Sequence, residues 1–208
     1  MYKTFSVILI LLMATAGFSQ TGNDTILLLN GYSVITNIID TTNGSVSFKN
    51  PKKSKKNIVI ENDRIFSIRN DKGENIIYVY DTTLGNEFTI EEMRYFIRGE
   101  QDAQIGFKAR GAFWGNLVVG AGAGVTGLFF SPVAPFAFSA LVGIPKIKIK
   151  KETVSNLDFL NQPSYLMGYT RVARKKRQLR SLLSGGIGLG VGLVTSFILK
   201  NNNSEVIQ

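Results

Sequence analysis

The chain has no cysteine and no histidine among its 208 residues. The first absence excludes disulfides, thiolate metal sites and lipid attachment through sulfur. The second removes the commonest general base and the usual activator of a nucleophile. Formal charge is also missing over long stretches. None of the 35 residues from Gly111 to Pro145 carries one, and none of the nineteen from 181 to 199 does. Acids are scarce where bases are dense. Residues 146–180 hold ten Lys/Arg against Glu152 and Asp158, a net of +8, whereas residues 20–100 hold ten against eleven. Nearly all of the chain's +9 therefore sits in one segment. A uniformly basic chain suggests nucleic acid, but a local excess beside apolar runs suggests a membrane flank. No nucleic-acid partner is expected.

What is present begins with "MYKTFSVILILLMATAGFSQ". Lys3 precedes an apolar core from about Phe5 to Ala16, and Gly17 and Ser19 have the small-residue spacing of a cleavage site. This predicts a signal peptide over 1–19, cut before Gln20. The apolar core is short for a span of roughly 17 to 25 residues, which disfavours an uncleaved first helix.

Residues 24–81 read as a β module. β-rich runs at 25–30 and 32–39 flank Asn30-Gly31, and a third at 45–49 follows Asn43-Gly44. Asn-Gly favours hairpins because both central turn residues accept positive φ. "NIVIEN", "RIFSIRN" and "NIIYVYD" add further runs, so a small, strongly curved antiparallel sheet or half-open barrel is expected. "PKKSKK", 51–56, reads as a solvated loop between strands. Its alternative use, an anion-binding patch, lacks the interleaved aromatics of a single-strand binder.

The pattern "DTILLLNGYSVITNIID…SVSFKN…NIVIENDRIFSIRNDKGE" resembles the SH3-like β domain of uncharacterised exported bacterial envelope proteins. Two later motifs also resemble that family: Tyr95-x3-Gly99-x2-Asp102-Ala103, and Tyr165-x2-Gly168-Tyr169 followed by Ala173-Arg174-Lys175-Lys176. The resemblance implies architecture, an SH3-like half-barrel ahead of membrane segments. It implies no activity.

A linker helix is predicted over 87–109. Thr89 and Glu92 have capping-box spacing, and Ile90, Met93, Phe96 and Ile97 recur with helical period. Glu91, Glu92, Glu100 and Asp102 read as a solvated face rather than as catalytic carboxylates. The uncharged run 111–145 is too long for one span, about 52 Å as a straight helix, and too short for two full spans with a turn. "SPVAP", 131–135, divides it into an expected span at about 112–130 and a short re-entrant or interfacial helix. Residues 181–199 are expected to cross again. "GAGVTG", 122–127, matches a dinucleotide fingerprint only formally, because no acid follows about twenty residues on and lysines occupy that region.

Ser184, Gly188, Gly192 and Ser196 recur every four residues, and Gly120 and Gly124 form a similar pair. Such small-residue stripes let membrane helices approach closely. They are the expected helix-packing residues, serving a homo-oligomer or another membrane protein. Arg171, Arg174, Lys175, Lys176, Arg177 and Arg180 are the expected topology and lipid head-group residues, since basic segments stay cytoplasmic and attract anionic lipid.

The fold class expected is thus α+β: a small N-terminal antiparallel β module, a linker helix, then glycine-rich transmembrane helices. The expected topology has the β module outside the inner membrane, one crossing at 112–130, residues 146–180 cytoplasmic and a return at 181–199. The expected function is non-enzymatic, with the exported module binding or sensing an envelope partner or ligand. The alternative is a small glycine-zipper pore, and a soluble core built from both glycine-rich runs is a further possibility. No catalytic, cofactor-binding or metal-binding residues are expected.

Overall fold

The computed structural model describes residues 24–50, 53–126 and 132–205. The expected signal at 1–19, the start of the lysine run at 51–52 and the 127–130 end of the first expected span lie outside the described residues. Antiparallel sheets come first and four helices follow, the last of them long and apolar, so the architecture is α+β. The chain divides into two compact units, one ending at Tyr78 and the other starting at Val79.

In the first unit β1 (Asp24–Leu28), β2 (Ser33–Thr36), β6 (Ile65–Asn70) and β7 (Gly73–Ile76) form one sheet, ordered β2-β1-β6-β7. A second sheet runs β3 (Ile38–Asp40), β4 (Ser45–Asn50), β5 (Lys53–Glu61). All pairings are antiparallel. Both sheets feed one core, with Ile26, Ile65 and Ile68 from the first and Val46 and Phe48 from the second. Alternation explains β4, where Val46 and Phe48 point inward between serines. It does not explain Ile65 and Ile68, three apart and both buried. There a register shift between Leu27 and Leu28 re-aims the pair, as a bulge does. Asn43 (φ 58°) and Gly44 (φ 71°) take the left-handed conformation that a tight hairpin demands.

The lysine run departs from its expected loop form. Lys53 to Lys56 belong to β5, which pairs with β4 from Asn50↔Lys53 to Ser45↔Glu61. β5 is an edge strand, where lysines discourage pairing with a further strand.

The second unit contains α1 (Ile90–Gly106), α2 (Arg110–Thr126), α3 (Val133–Leu141) and α4 (Pro163–Glu205). The capping box forms as spaced: Thr89 accepts from the Glu92 N–H, and the Glu92 side chain accepts from Thr89. α4 is one helix of 43 residues, on the order of 65 Å long. The basic segment 171–180 and the apolar run 181–199 are consecutive stretches of it, so they are not separate elements. Among the described residues α4 is the one helix long and apolar enough to cross a membrane. α2, at 17 residues, extends about 25 Å.

Contacts along the helices establish their directions. Asn116, Gly120 and Gly124 meet Ser181, Gly185–Leu189 and Leu189–Leu193 in turn, so α2 and α4 run parallel. Pro135, Ser139 and Gly143 meet Gly185, Ser181 and Gln178, so α3 runs the opposite way. The uncharged run therefore leaves from Arg110 and returns to Lys146 at the same end of the bundle. Residues 146–161 then pass back along α1 to the start of α4, with Ser155 bonded to Asp102. Segments 87–109 and 146–180, which the expected topology set on opposite faces of a bilayer, are hydrogen-bonded to each other.

Candidate membrane-facing site

The base of the second unit is built where α1 crosses α4. A Cβ at Gly99 would overlap the Tyr165 carbonyl, and one at Gly168 would overlap the Phe96 carbonyl, so both positions require glycine. That approach buries Tyr165 and Tyr169 fully, together with Ala103 and Ala173. The buried tyrosines keep polar partners, as they must. Tyr165 Oη donates to Asp102 Oδ2 at 2.6 Å, and Tyr169 Oη lies 2.7 Å from Thr153 Oγ1. The two motifs around Gly99 and Gly168 thus meet in space across some seventy residues of sequence.

Close approach also buries Glu100, which is 2% exposed. Its Oε1 lies 3.6 Å from Arg171, while Oε2 has no hydrogen-bond partner among the described residues. Burial raises its pKa from 4.5 to about 7, against the opposing pull of Arg171 and Lys175. Glu100 is therefore not on a solvated face as expected, nor is Asp102, whose carboxylate accepts from Ser155 and Tyr165.

The six expected topology cations divide by contact. Arg171 faces Glu100. Lys176 Nζ donates to the carbonyls of Ala103 (3.3 Å) and Gln104 (2.6 Å) in the last turn of α1. Arg177 Nη2 donates to Gly143 O (3.1 Å) and Pro145 O just beyond α3. Lys176 thereby meets the C-terminal turn of α1, where carbonyl oxygens carry partial negative charge. Arg174, Lys175 and Arg180 remain exposed.

Above the base, polarity is distributed inside out. The buried line of α2 is Ala112, Asn116, Gly120 and Gly124, and that of α4 is Ser181, Ser184, Gly185, Gly188 and Gly192. A Cβ at Gly120 would overlap Gly185 O, one at Gly188 would overlap Leu117 O, and one at Gly192 would overlap Ala121 O. Gly124 sits equally close to Leu189 and Gly192. Ser196, beyond this contact, is half-buried. Gly188 and Gly192 of the stripe thus pack against the chain's own α2. Gly111 and Gly186 face open space.

Asn116 ties the three helices together. Its amide nitrogen lies within hydrogen-bond distance of Pro135 O (3.1 Å), Ser139 Oγ (2.8 Å) and Ser181 O (2.7 Å), which share its two protons. Periodicity does not single out Asn116, Ser139 or Ser181. The available signal is a polar side chain inside an uncharged apolar run, which in a membrane helix faces the bundle interior. The large apolar side chains lie outside instead: Trp114, Val118, Phe136, Leu183, Val191 and Phe197 are all more than half exposed.

At the polar edge of this apolar surface lies a cavity of about 620 Å³, lined by Lys108, Arg110, Lys148, Lys150, Glu152 and Tyr169 among others. Among the described residues no group of three acidic side chains could hold a metal. The chain matches no protein-family model, no curated protein and no solved structure.

Proposed function

We propose that the chain is a non-enzymatic inner-membrane protein of the cell envelope. The second unit anchors it, and the β module binds or senses an envelope partner. The observation that carries this reading is the inside-out packing of α2, α3 and the C-terminal half of α4. A core of glycine, serine and asparagine under a coat of Trp, Phe, Leu and Val suits hydrocarbon and is costly in water. The soluble alternative needs the opposite distribution. The pore alternative needs glycine faces free for a second copy, and Gly120, Gly124, Gly188 and Gly192 already face their own chain.

In this reading α4 crosses the bilayer, with α2 and α3 embedded beside it. The β module, α1 and residues 146–180 share one side, and with the expected signal at 1–19 that side is the periplasm. Arg171, Lys176 and Arg177 then serve local structure before topology. Carbonate extraction of membranes tests the anchor, with the protein expected in the pellet. Recovery in the supernatant overturns the embedded assignment and restores the soluble one.

A further inference from the structure

The 620 Å³ cavity concentrates positive charge where α2 begins. Lys108, Arg110, Lys148 and Lys150 line it and are all exposed, and none has an anionic partner within ion-pair distance among the described residues. Glu152 is the one carboxylate on its wall, leaving a net of three positive charges. The first helical hydrogen bond of α2 runs from the Phe113 N–H to Ala109 O. The preceding N–H groups of Arg110, Gly111 and Ala112 therefore lack intrahelical acceptors and add the positive end of the helix dipole. Gly111 lines the cavity with no side chain to block those amides. A cavity, four cations and a helix start converge on one anion, and phosphate is the group such a cradle fits.

Position selects the source of that phosphate. The cavity sits at the junction of the cationic base and the uncharged run, which begins at Gly111. Trp114, 62% exposed, lies one turn further along α2, and Ile105 and Ile144 are also exposed. A phosphate held at Arg110 therefore has apolar surface directly beside it, where acyl chains could lie. Trp at this level matches the aromatic belt of membrane proteins. We propose that the cavity binds the phosphate of an anionic phospholipid head group, a role that rests on the membrane reading above.

The test uses the full chain in detergent, titrated with short-chain phosphatidylglycerol, short-chain phosphatidylcholine or inorganic phosphate and followed by thermal unfolding. Phosphatidylglycerol is expected to stabilise the protein at lower concentration than either control. Lys108→Gln/Lys148→Gln/Lys150→Gln is expected to weaken that effect at least about tenfold. Lys49→Gln/Arg64→Gln/Lys72→Gln, the same charge change at exposed positions of the β module, is expected to leave it intact. Lys148→Gln alone, at an exposed position, should move in the same direction if the triple variant misfolds. Equal stabilisation by inorganic phosphate would assign the cavity to a soluble ligand and overturn the lipid proposal. Equal loss in both triple variants would reduce the effect to net charge and overturn it as well. Neither result bears on carbonate extraction, so failure here is separable from failure of the anchor.

Discussion

Glu100 shows how one glycine alters a neighbour's chemistry. Gly99 admits the backbone of α4, and the next residue loses its water. The folded state holds a proton on Glu100 up to about pH 7, whereas the unfolded chain releases it near 4.5. Between those values the folded state binds more protons, so stability falls as pH rises through the window. The loss is complete above about pH 7 and is on the order of 3 kcal/mol at most. Glu100→Gln keeps the shape and removes the titration. It is expected to be more stable than wild type at pH 8 and to lose most of the difference at pH 4.5, by thermal unfolding at the two values. Arg171 is exposed enough to tolerate losing its partner, with 68% of its side chain accessible. A Gln variant less stable at pH 8 would show that the Arg171 pair outweighs the burial.

Helix contacts behave as units because one Cβ can displace a whole backbone. Gly188 faces Leu117 O, whereas Gly186 faces open space two residues away. Alanine at 188 must push α2 off α4, and the packing around Asn116 with it. Gly188→Ala is expected to destabilise by a few kcal/mol, about what overpacking a core costs. Gly186→Ala is expected to stabilise by up to about 1 kcal/mol from helix propensity alone. Denaturant titration in detergent micelles separates the two. The contact lies within one chain, so both effects should be independent of protein concentration. A concentration-dependent loss in Gly188→Ala would instead place the stripe at an interface between copies.

At the scale of the whole molecule, sidedness is the decisive quantity. A chain without cysteine suits single-cysteine labelling. Lys72→Cys, Lys108→Cys and Lys148→Cys are expected to react from the same side with a membrane-impermeant maleimide. Asn201→Cys, near the end of α4, is expected to react only from the other. Labelling of Lys108→Cys and Lys148→Cys from opposite sides would mean that α2 alone crosses between them. The hydrogen bonds joining Lys176 to α1 could not then exist in the membrane.

Local rules determined much of this protein. Asn43-Gly44 specifies a hairpin because both residues tolerate positive φ, and Thr89 with Glu92 starts α1 because each satisfies the other's backbone. The α+β order and the apolar character of residues 181–199 follow from periodicity and composition. So does the prominence of Gly120, Gly124, Gly188 and Gly192, whose spacing places each pair on a helix face. Partnership was not legible, because it depends on the path between elements. Whether the glycine stripe meets a second copy or its own α2 depends on α3 and residues 146–161 carrying the chain back to the base. No short window encodes that return. The basic run likewise reads as a membrane flank until the fold brings the ends of α1 and α3 to Lys176 and Arg177, whose charges then meet carbonyls. Lys108 and Arg110 lie some forty residues from Lys148 and Lys150, and only that same return makes them one cavity.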